Sequence, residues 1–325
     1  MQLIRYLGIQ AARLVIVVTG VAILNFVLIH SAPGDPAMVL AGETGAADAD
    51  LLQRLRAEFG LDQPLHVQLF HYLGNIAQFD LGMSYRQNLP VAGIILDRLP
   101  ATLYLTVPAF ILSLLLGISW GRFAAQNDAR PRNALFIIVT AFFNAAPVFW
   151  IALLLVMVLS NWLGWFPAFG IRTPRAPAGL IPSALDILHH AVLPVLTLSL
   201  FYIAVYARLM RSSVLEVRSM DFVKTARAKG ASLSRIRKRH ITPNALLPVV
   251  ALAGLQAGQV LGGSVVVETV FAWPGIGSLA FDSLLKRDYP VLMGILLISS
   301  IVVVIINVIT DLLVAYIDPR IGASS

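Results

Sequence analysis

Cysteine is missing from the whole chain, which removes disulfides, thiol nucleophiles and thiolate metal sites together. Charge is scarce as well: 13% of the 325 residues are Asp, Glu, Lys or Arg, while 58% are hydrophobic. A soluble domain is nearer about a quarter charged and about half apolar. So few charges could not cover a water-soluble fold, so part of the surface must face a bilayer. No glycine-rich phosphate loop ending in Gly-Lys-Ser/Thr occurs, which excludes ATP hydrolysis by that machinery. Ser, His and Asp are all present, but no motif groups them into a catalytic set. The net charge of +7 would suggest nucleic acid in a soluble protein. In a membrane protein it marks the cytoplasmic side instead, so no nucleic-acid partner is expected.

What the chain does have is long apolar runs. A bilayer core needs about 20 mostly apolar residues in helical form. Six stretches qualify: Ala12–His30, Thr102–Gly121, Leu135–Leu159, Ala191–Ala207, Leu246–Val270 and Val291–Val314. The fold class is therefore an all-α integral membrane protein with about six transmembrane helices. The fourth run is the shortest, and its helix is expected to continue past Arg208. Gly117, Gly258, Gly262 and Gly263 would let helices approach closely. Arg5 before the first run and Ser31-Ala32 after it would also suit a signal peptide, but no small-x-small cleavage site accompanies them.

Six spans place both termini on one side. The N-terminus, residues 122–133, residues 208–240 and the C-terminus carry 16 of the 24 Lys and Arg residues; the alternate segments carry 8. The basic side is cytoplasmic. Residues 31–100 form an external region, with Leu51, Leu52, Leu55 and Phe59 on one helical face. The organisation is thus a first helix plus external region over 1–100, then a transmembrane domain over 101–325 with a basic internal loop at 208–245.

Within that loop, Asp221 to Lys229 reads as a short helix stopped by Gly230, and Ala231 to Arg235 begins a second helix capped by Ser232 or Ser234. Pro243 is expected to mark a further break before the fifth span. Thr225, Ala226 and Ala228 are small and leave room for another protein's side chains. Ten basic residues beside anionic lipid need no other explanation singly. The helix–Gly–helix unit as a whole is better read as a docking element.

That segment resembles the cytoplasmic loop of ATP-binding-cassette (ABC) importer permeases, whose pattern is Glu-Ala-Ala, three residues, Gly, nine residues, Ile-x-Leu-Pro. Here the aligned residues are Lys224-Thr225-Ala226, Gly230 and His240-Ile241-Thr242-Pro243. Ala226, Gly230 and Pro243 match; Lys224, Thr225, His240 and Thr242 depart. The chain is similar nearly end to end to the first permease of dipeptide, oligopeptide and nickel importers. The similar stretches include Pro33-Gly-Asp-Pro36, Phe59-Gly-Leu-Asp-Gln-Pro64, Asp80-Leu-Gly-Met-Ser84, Arg98-Leu-Pro-Ala-Thr102 and Arg208-Leu-Met-Arg-Ser212. They continue with Thr225-Ala-Arg-Ala-Lys-Gly230, Val267-Glu-Thr-Val-Phe-Ala-Trp-Pro-Gly275, Arg287-Asp-Tyr-Pro290 and Asp318-Pro-Arg-Ile321. Each is weak alone; in order and at matching spacing they are specific.

The resemblance implies a type I importer permease fold in a bacterial or archaeal inner membrane. It implies a second homologous permease, two cytoplasmic ATPase subunits that bind ATP and magnesium, and an external solute-binding protein. No cofactor or metal is expected on this chain itself. The coupling loop to the ATPases would comprise Lys224, Thr225, Ala226, Ala228, Gly230, Ala231, Ser232 and Pro243. The solute would be a di- or oligopeptide, the alternative being nickel or a metal chelate.

Ionisable residues within spans are candidates for function. Glu268, at the outer end of the fifth span, either lines the pathway or gate or caps the turn that follows. Gln256 and Gln259 line the pathway or hydrogen-bond between helices. Asp311 in the sixth span suits a structural ion pair. An intramembrane enzyme would need Glu268 or Asp311. A free-standing carrier would show repeated halves, and none is visible. For topology, single cysteines replacing Ser84, Ser232 and Ser324 should be distinguished by an impermeant thiol reagent on intact cells. Position 84 should label while 232 and 324 are spared; labelling of 232 without 84 reverses the orientation.

Overall fold

The computed structural model describes residues 2–31, 62–126, 131–174, 179–261 and 265–317. The external helical pattern at Leu51 to Phe59 and the tail motif at Asp318 lie outside the described residues. The chain divides into two units: Met1–Pro100 with Leu279–Val304, and Ala101–Ser278 with Ile305–Ser325. The helices are α1 (Gln2–Ser31), α2 (Leu65–Ala77), α3 (Val91–Gln126), α4 (Pro131–Ala145) and α5 (Val148–Leu155). They continue as α6 (Leu180–Ser219), α7 (Asp221–Ala228), α8 (Leu233–Ile236), α9 (Thr242–Leu261), α10 (Val265–Val270), α11 (Ile276–Leu285) and α12 (Tyr289–Ile317). Two π-helical segments, Val156–Trp162 and Arg237–Ile241, extend α5 and join α8 to α9. Among the described residues the strand-like element is a lone antiparallel bridge, Met83 to Pro90.

Among the described residues five helices are long and apolar enough to cross a membrane, or six if the bent pair α4–α5 counts as one span. Exposed Val15 and Ile16 on α1 are what a lipid-facing surface requires. The third span departs from the continuous helix expected over Leu135–Leu159: the chain turns through 107° between α4 and α5. Pro147 is the cause. Its ring excludes the carbonyl of the fourth residue before it, and it biases Ala146 away from helical geometry. Pro147 then caps α5 with extended backbone (φ −60°, ψ 136°), and its carbonyl accepts the Trp150 and Ile151 amides.

The fifth span departs as well. The break expected at Pro243 is not there: Leu233–Gly258 runs as one spanning helix. Pro243 sits in the first turn of α9, where a missing N–H is tolerated, and the π-helical Arg237–Ile241 widens the hydrogen-bond ladder just before it. Val265–Val270, assigned to the end of this span, is helical as α10, and residues 262–264 before it lie outside the described residues.

α6 continues past Arg208 as expected and spans 40 residues, or about 60 Å at about 1.5 Å per residue. It is the central element of the second unit. Ala191, Leu193 and Leu198 enter one apolar cluster with Leu105 and Trp273. Tyr206, Met210 and Val214 enter another with Ile236 and Val249. α3 lies directly against it because Gly117 and Gly121 carry no side chain. A Cβ at Gly117 would stand 2.7 Å from Tyr206 Cβ, and one at Gly121 would overlap the Ala207 carbonyl oxygen. Gly254 meets the Thr310 side chain in the same way. Gly258 is buried; Gly262 and Gly263 lie outside the described residues.

In the first unit, the segment after α2 is tied down by one aspartate. Ser84 and Asp288 are both 2% exposed. Ser84 Oγ donates to Asp288 Oδ2 at 2.5 Å, and the Tyr85 amide donates to Asp288 Oδ1 at 3.2 Å. The Arg86 guanidinium donates through Nε to the Lys286 carbonyl at 2.8 Å. Ser84→Cys is consequently a shielded probe of topology, and exposed Gln87 is the better position.

The α3–α6 approach makes a matched prediction. Gly93 and Gly121 both lie on α3, and a Cβ at Gly93 meets nothing within 4 Å. Alanine is intrinsically the better helix former by about 1 kcal/mol. Gly93→Ala should therefore hold or raise the melting midpoint in detergent. Gly121→Ala should lower it, at about the 1–3 kcal/mol of overpacking, since a backbone carbonyl cannot rotate away.

Candidate functional site

The helix–Gly–helix unit is built from local chemistry. α7 closes with two bonds: the Gly230 amide donates to the Arg227 carbonyl at 3.0 Å, and the Ala231 amide to the Ala226 carbonyl at 3.2 Å. This Schellman pattern requires a left-handed residue, and Gly230 has φ +78°. Ser232 then caps α8, its hydroxyl accepting the Arg235 amide at 3.4 Å. Ser232 is thus the cap of the two serines considered.

The unit is fastened to the second apolar cluster by Val223 and Ile236, each 1% exposed, with Ala226 and Ala231 packed against the same cluster. Lys224, Thr225, Ala228, Gly230, Ser232 and Pro243 are exposed. Ala226 and Ala231 are half-buried and support the turn from behind. Lys224 Nζ donates to Asp221 Oδ1 at 2.8 Å, an exposed pair that contributes little to stability. Thr225 Oγ1 donates to the Asp221 carbonyl at 2.9 Å. Met220, Phe222 and Leu233 add apolar surface around the turn. The sequence reading missed these three; their signal is large apolar side chains in an otherwise basic loop.

Glu268 sits elsewhere in the second unit and is fully buried. Thr102 Oγ1 donates to its Oε1 at 3.2 Å, and the Ser278 amide donates to its Oε2 at 2.8 Å. Thr102 Oγ1 in turn accepts the Ile276 amide at 2.7 Å. The loop from Ala272 to Gly277 is wrapped around this carboxylate. A Cβ at Gly275 would stand 2.5 Å from Glu268 Oε2, and one at Gly277 would stand 2.9 Å from it. Trp273 anchors the loop, its indole Nε1 donating to the Ala101 carbonyl at 2.7 Å. Of the two roles open to Glu268, this geometry describes the cap of the following turn.

Gln256 Oε1 is buried without a hydrogen-bond partner among the described residues. The side chains of Gln259 and Asp311 lie outside the described residues. His189 and His190 each turn to backbone, at Trp165 and Asp186. Among the described residues no three His, Asp or Glu side chains are grouped to hold a metal.

The carboxylate network can be tested apart from transport. Glu268→Ala leaves the Ser278 amide and the Thr102 hydroxyl without their acceptor, at a cost on the order of 1–3 kcal/mol. Glu268→Ala and Thr102→Val should both lower the melting midpoint of the purified chain. A Glu268 variant that melts like wild type but alters uptake would put the carboxylate in the pathway instead.

Comparison with known proteins agrees with this architecture. Residues 113–323 match the family "binding-protein-dependent transport system inner membrane component", and residues 3–106 match the N-terminal component of such systems. The oligopeptide transport system permease protein AppB of Bacillus subtilis is 41% identical over 309 residues, covering 94% of this chain and 95% of that protein. The dipeptide transport system permease protein DppB of Alkalihalophilus pseudofirmus is 37% identical, covering 95% and 96%. The glutathione transport system permease protein GsiC of Escherichia coli K12 is 40% identical, covering 93% of each. Among solved structures, a chain of the MetNI methionine ABC transporter in inward-facing conformations shares the fold, with a TM-score of 0.56 and 16% identity over 70% of this chain and 97% of that one. With a family match over most of its length and relatives near 40% identity end to end, the chain belongs to the binding-protein-dependent transport system inner membrane components, the permease subunits of ABC importers.

Proposed function

We propose that this permease carries peptides across a bacterial or archaeal inner membrane, with both termini cytoplasmic, and that the turn at Gly230 is where it meets the ATPases. The relatives named above are oligopeptide, dipeptide and glutathione permeases, and glutathione is itself a small peptide. Those names favour a peptide over nickel or a chelate. The working assembly comprises this chain, a second homologous permease, two ATPase subunits that bind ATP and magnesium, and an external solute-binding protein. This chain contributes the pathway and the mechanical link, and no chemistry of its own.

The observation that carries the docking role is the exposed left-handed turn, held from behind by Val223 and Ile236. A turn anchored by two buried side chains and left exposed on its outer side is stiff enough to pass a force from a partner to the spans. Closure of the ATPases would push on this turn. Because α7 and α6 share one apolar cluster, the push reaches the spans by direct packing. Access to the pathway would then alternate between the two faces of the membrane.

Two substitutions at Gly230 separate strain from fit. Within the chain itself a Cβ at Gly230 meets nothing within 4 Å. Gly230→Val strains φ by about 1–3 kcal/mol and adds bulk facing the partner. Gly230→Asn adds bulk but tolerates the left-handed backbone. Both should insert normally into the membrane, and Gly230→Val should lose ATPase co-purification and coupled hydrolysis in reconstituted vesicles. If Gly230→Val keeps full assembly and full coupling, the turn is not the docking element. Intermediate loss in Gly230→Asn would measure the steric share alone.

A further inference from the structure

Beneath the turn lies a cavity of about 130 Å³ lined by Arg122, Arg218, Arg227 and Arg237, with Gln126 and Thr242 beside them and no acidic residue in the lining. We propose that this cavity binds a phosphate-bearing anion and that the anion ties the turn to the ends of the spans. Arg237 Nη1 donates to Gln126 Oε1 at 2.7 Å. Among the described residues none of the four arginines is paired with a carboxylate. Arg218 and Arg227 lie in the last turns of α6 and α7, where a helix favours a cation. That accounts for two of the charges and leaves Arg122 and Arg237 unexplained. Arg122 is half-buried and the other three are exposed, so water and salt screen part of their mutual repulsion, and an anion shared among them would relieve the rest. The planar guanidinium fork matches phosphate oxygens in two-point contact, which makes phosphate the chemistry of best fit.

The location fits as well. Arg122 directly follows the apolar run of α3, and Thr242 precedes that of α9. Under the orientation proposed above, the cavity lies at the phosphate level of the inner leaflet, where basic pockets between helices take lipid headgroups. Arg122 and Arg218 belong to the spanning helices, whereas Arg227 and Arg237 belong to the turn unit. An anion shared by all four would stiffen the joint through which the push must pass. The phosphate could come from an anionic phospholipid or from a soluble phosphate compound, and the two are separable by experiment.

The full-length chain, with whatever subunits co-purify, is placed in phosphatidylcholine nanodiscs with or without 20% phosphatidylglycerol. Retained lipid is read by native mass spectrometry, and inorganic phosphate is titrated in the neutral discs. Each basic residue at an anionic surface contributes a factor of about five, so Arg122→Gln with Arg218→Gln should weaken retention about twenty-five-fold. Lys238→Gln with Arg239→Gln removes the same charge outside the cavity lining and should retain most of the binding. If the arginine pair misfolds, Gln126→Glu carries the test, because a nearly isosteric carboxylate inside the cavity should displace the anion. Preferential retention of phosphatidylglycerol identifies a headgroup; retention of inorganic phosphate in neutral discs identifies a soluble source. Binding of neither, or equal loss in the Lys238 and Arg239 control, overturns the proposal.

Discussion

Hydrocarbon offers no hydrogen bonds, so a chain that leaves the helical path inside a membrane protein must find partners within itself. Backbone buried away from water elsewhere in the protein faces the same demand. The loop from Ala272 to Gly277 is satisfied by one carboxylate, one threonine and one indole. The segment from Gly82 to Val91 is satisfied by its own bridge and by Asp288. A buried carboxylate is costly to desolvate, but Glu268 collects enough donors to be an organising centre and not a liability.

The same two centres give a physical meaning to stretches that the family resemblance singled out without assigning a role. Arg98 to Thr102 and Val267 to Gly275 are distant in sequence yet meet at the hydrogen bond from Thr102 to Glu268. Asp80 to Ser84 and Arg287 to Pro290 meet at the hydrogen bond from Ser84 to Asp288. Gly275 and Gly277 follow from the same logic, since any side chain there would collide with the carboxylate they surround. These recurrent short strings are the two halves of closures, each unintelligible without its distant partner.

That is also where legibility in the sequence ended. The apolar runs, the long fourth helix and the Gly230 stop were readable because their causes are local: hydropathy over about 20 residues and capping within five or six. The bend at Pro147 carried a local signal too, but the surrounding residues are uniformly apolar, and hydropathy counts them as one span. Pro243 misled in the opposite sense, because a π-helical segment absorbed the defect that a proline normally leaves. The partial burial of Ala226 was hidden because α7 has one fully buried anchor, Val223, too little to define an apolar stripe. The turn-capping role of Glu268 was among the local readings, but its second partner, Thr102, lies 166 residues away, which no window along the chain contains.

The glycine contact between α3 and α6 has a mechanical consequence. It touches α6 at Tyr206 and Ala207, well away from the helix midpoint. From Tyr206 the helix extends about 39 Å to Leu180 and about 20 Å to Ser219, at about 1.5 Å per residue. A backbone-to-backbone contact without intervening side chains is a natural fulcrum. If α6 pivots there and the packed turn at Pro194 does not flex, a small displacement at the end that carries the turn becomes roughly a twofold larger swing at the far end, with the lever ratio set by where two glycines sit on the neighbouring helix.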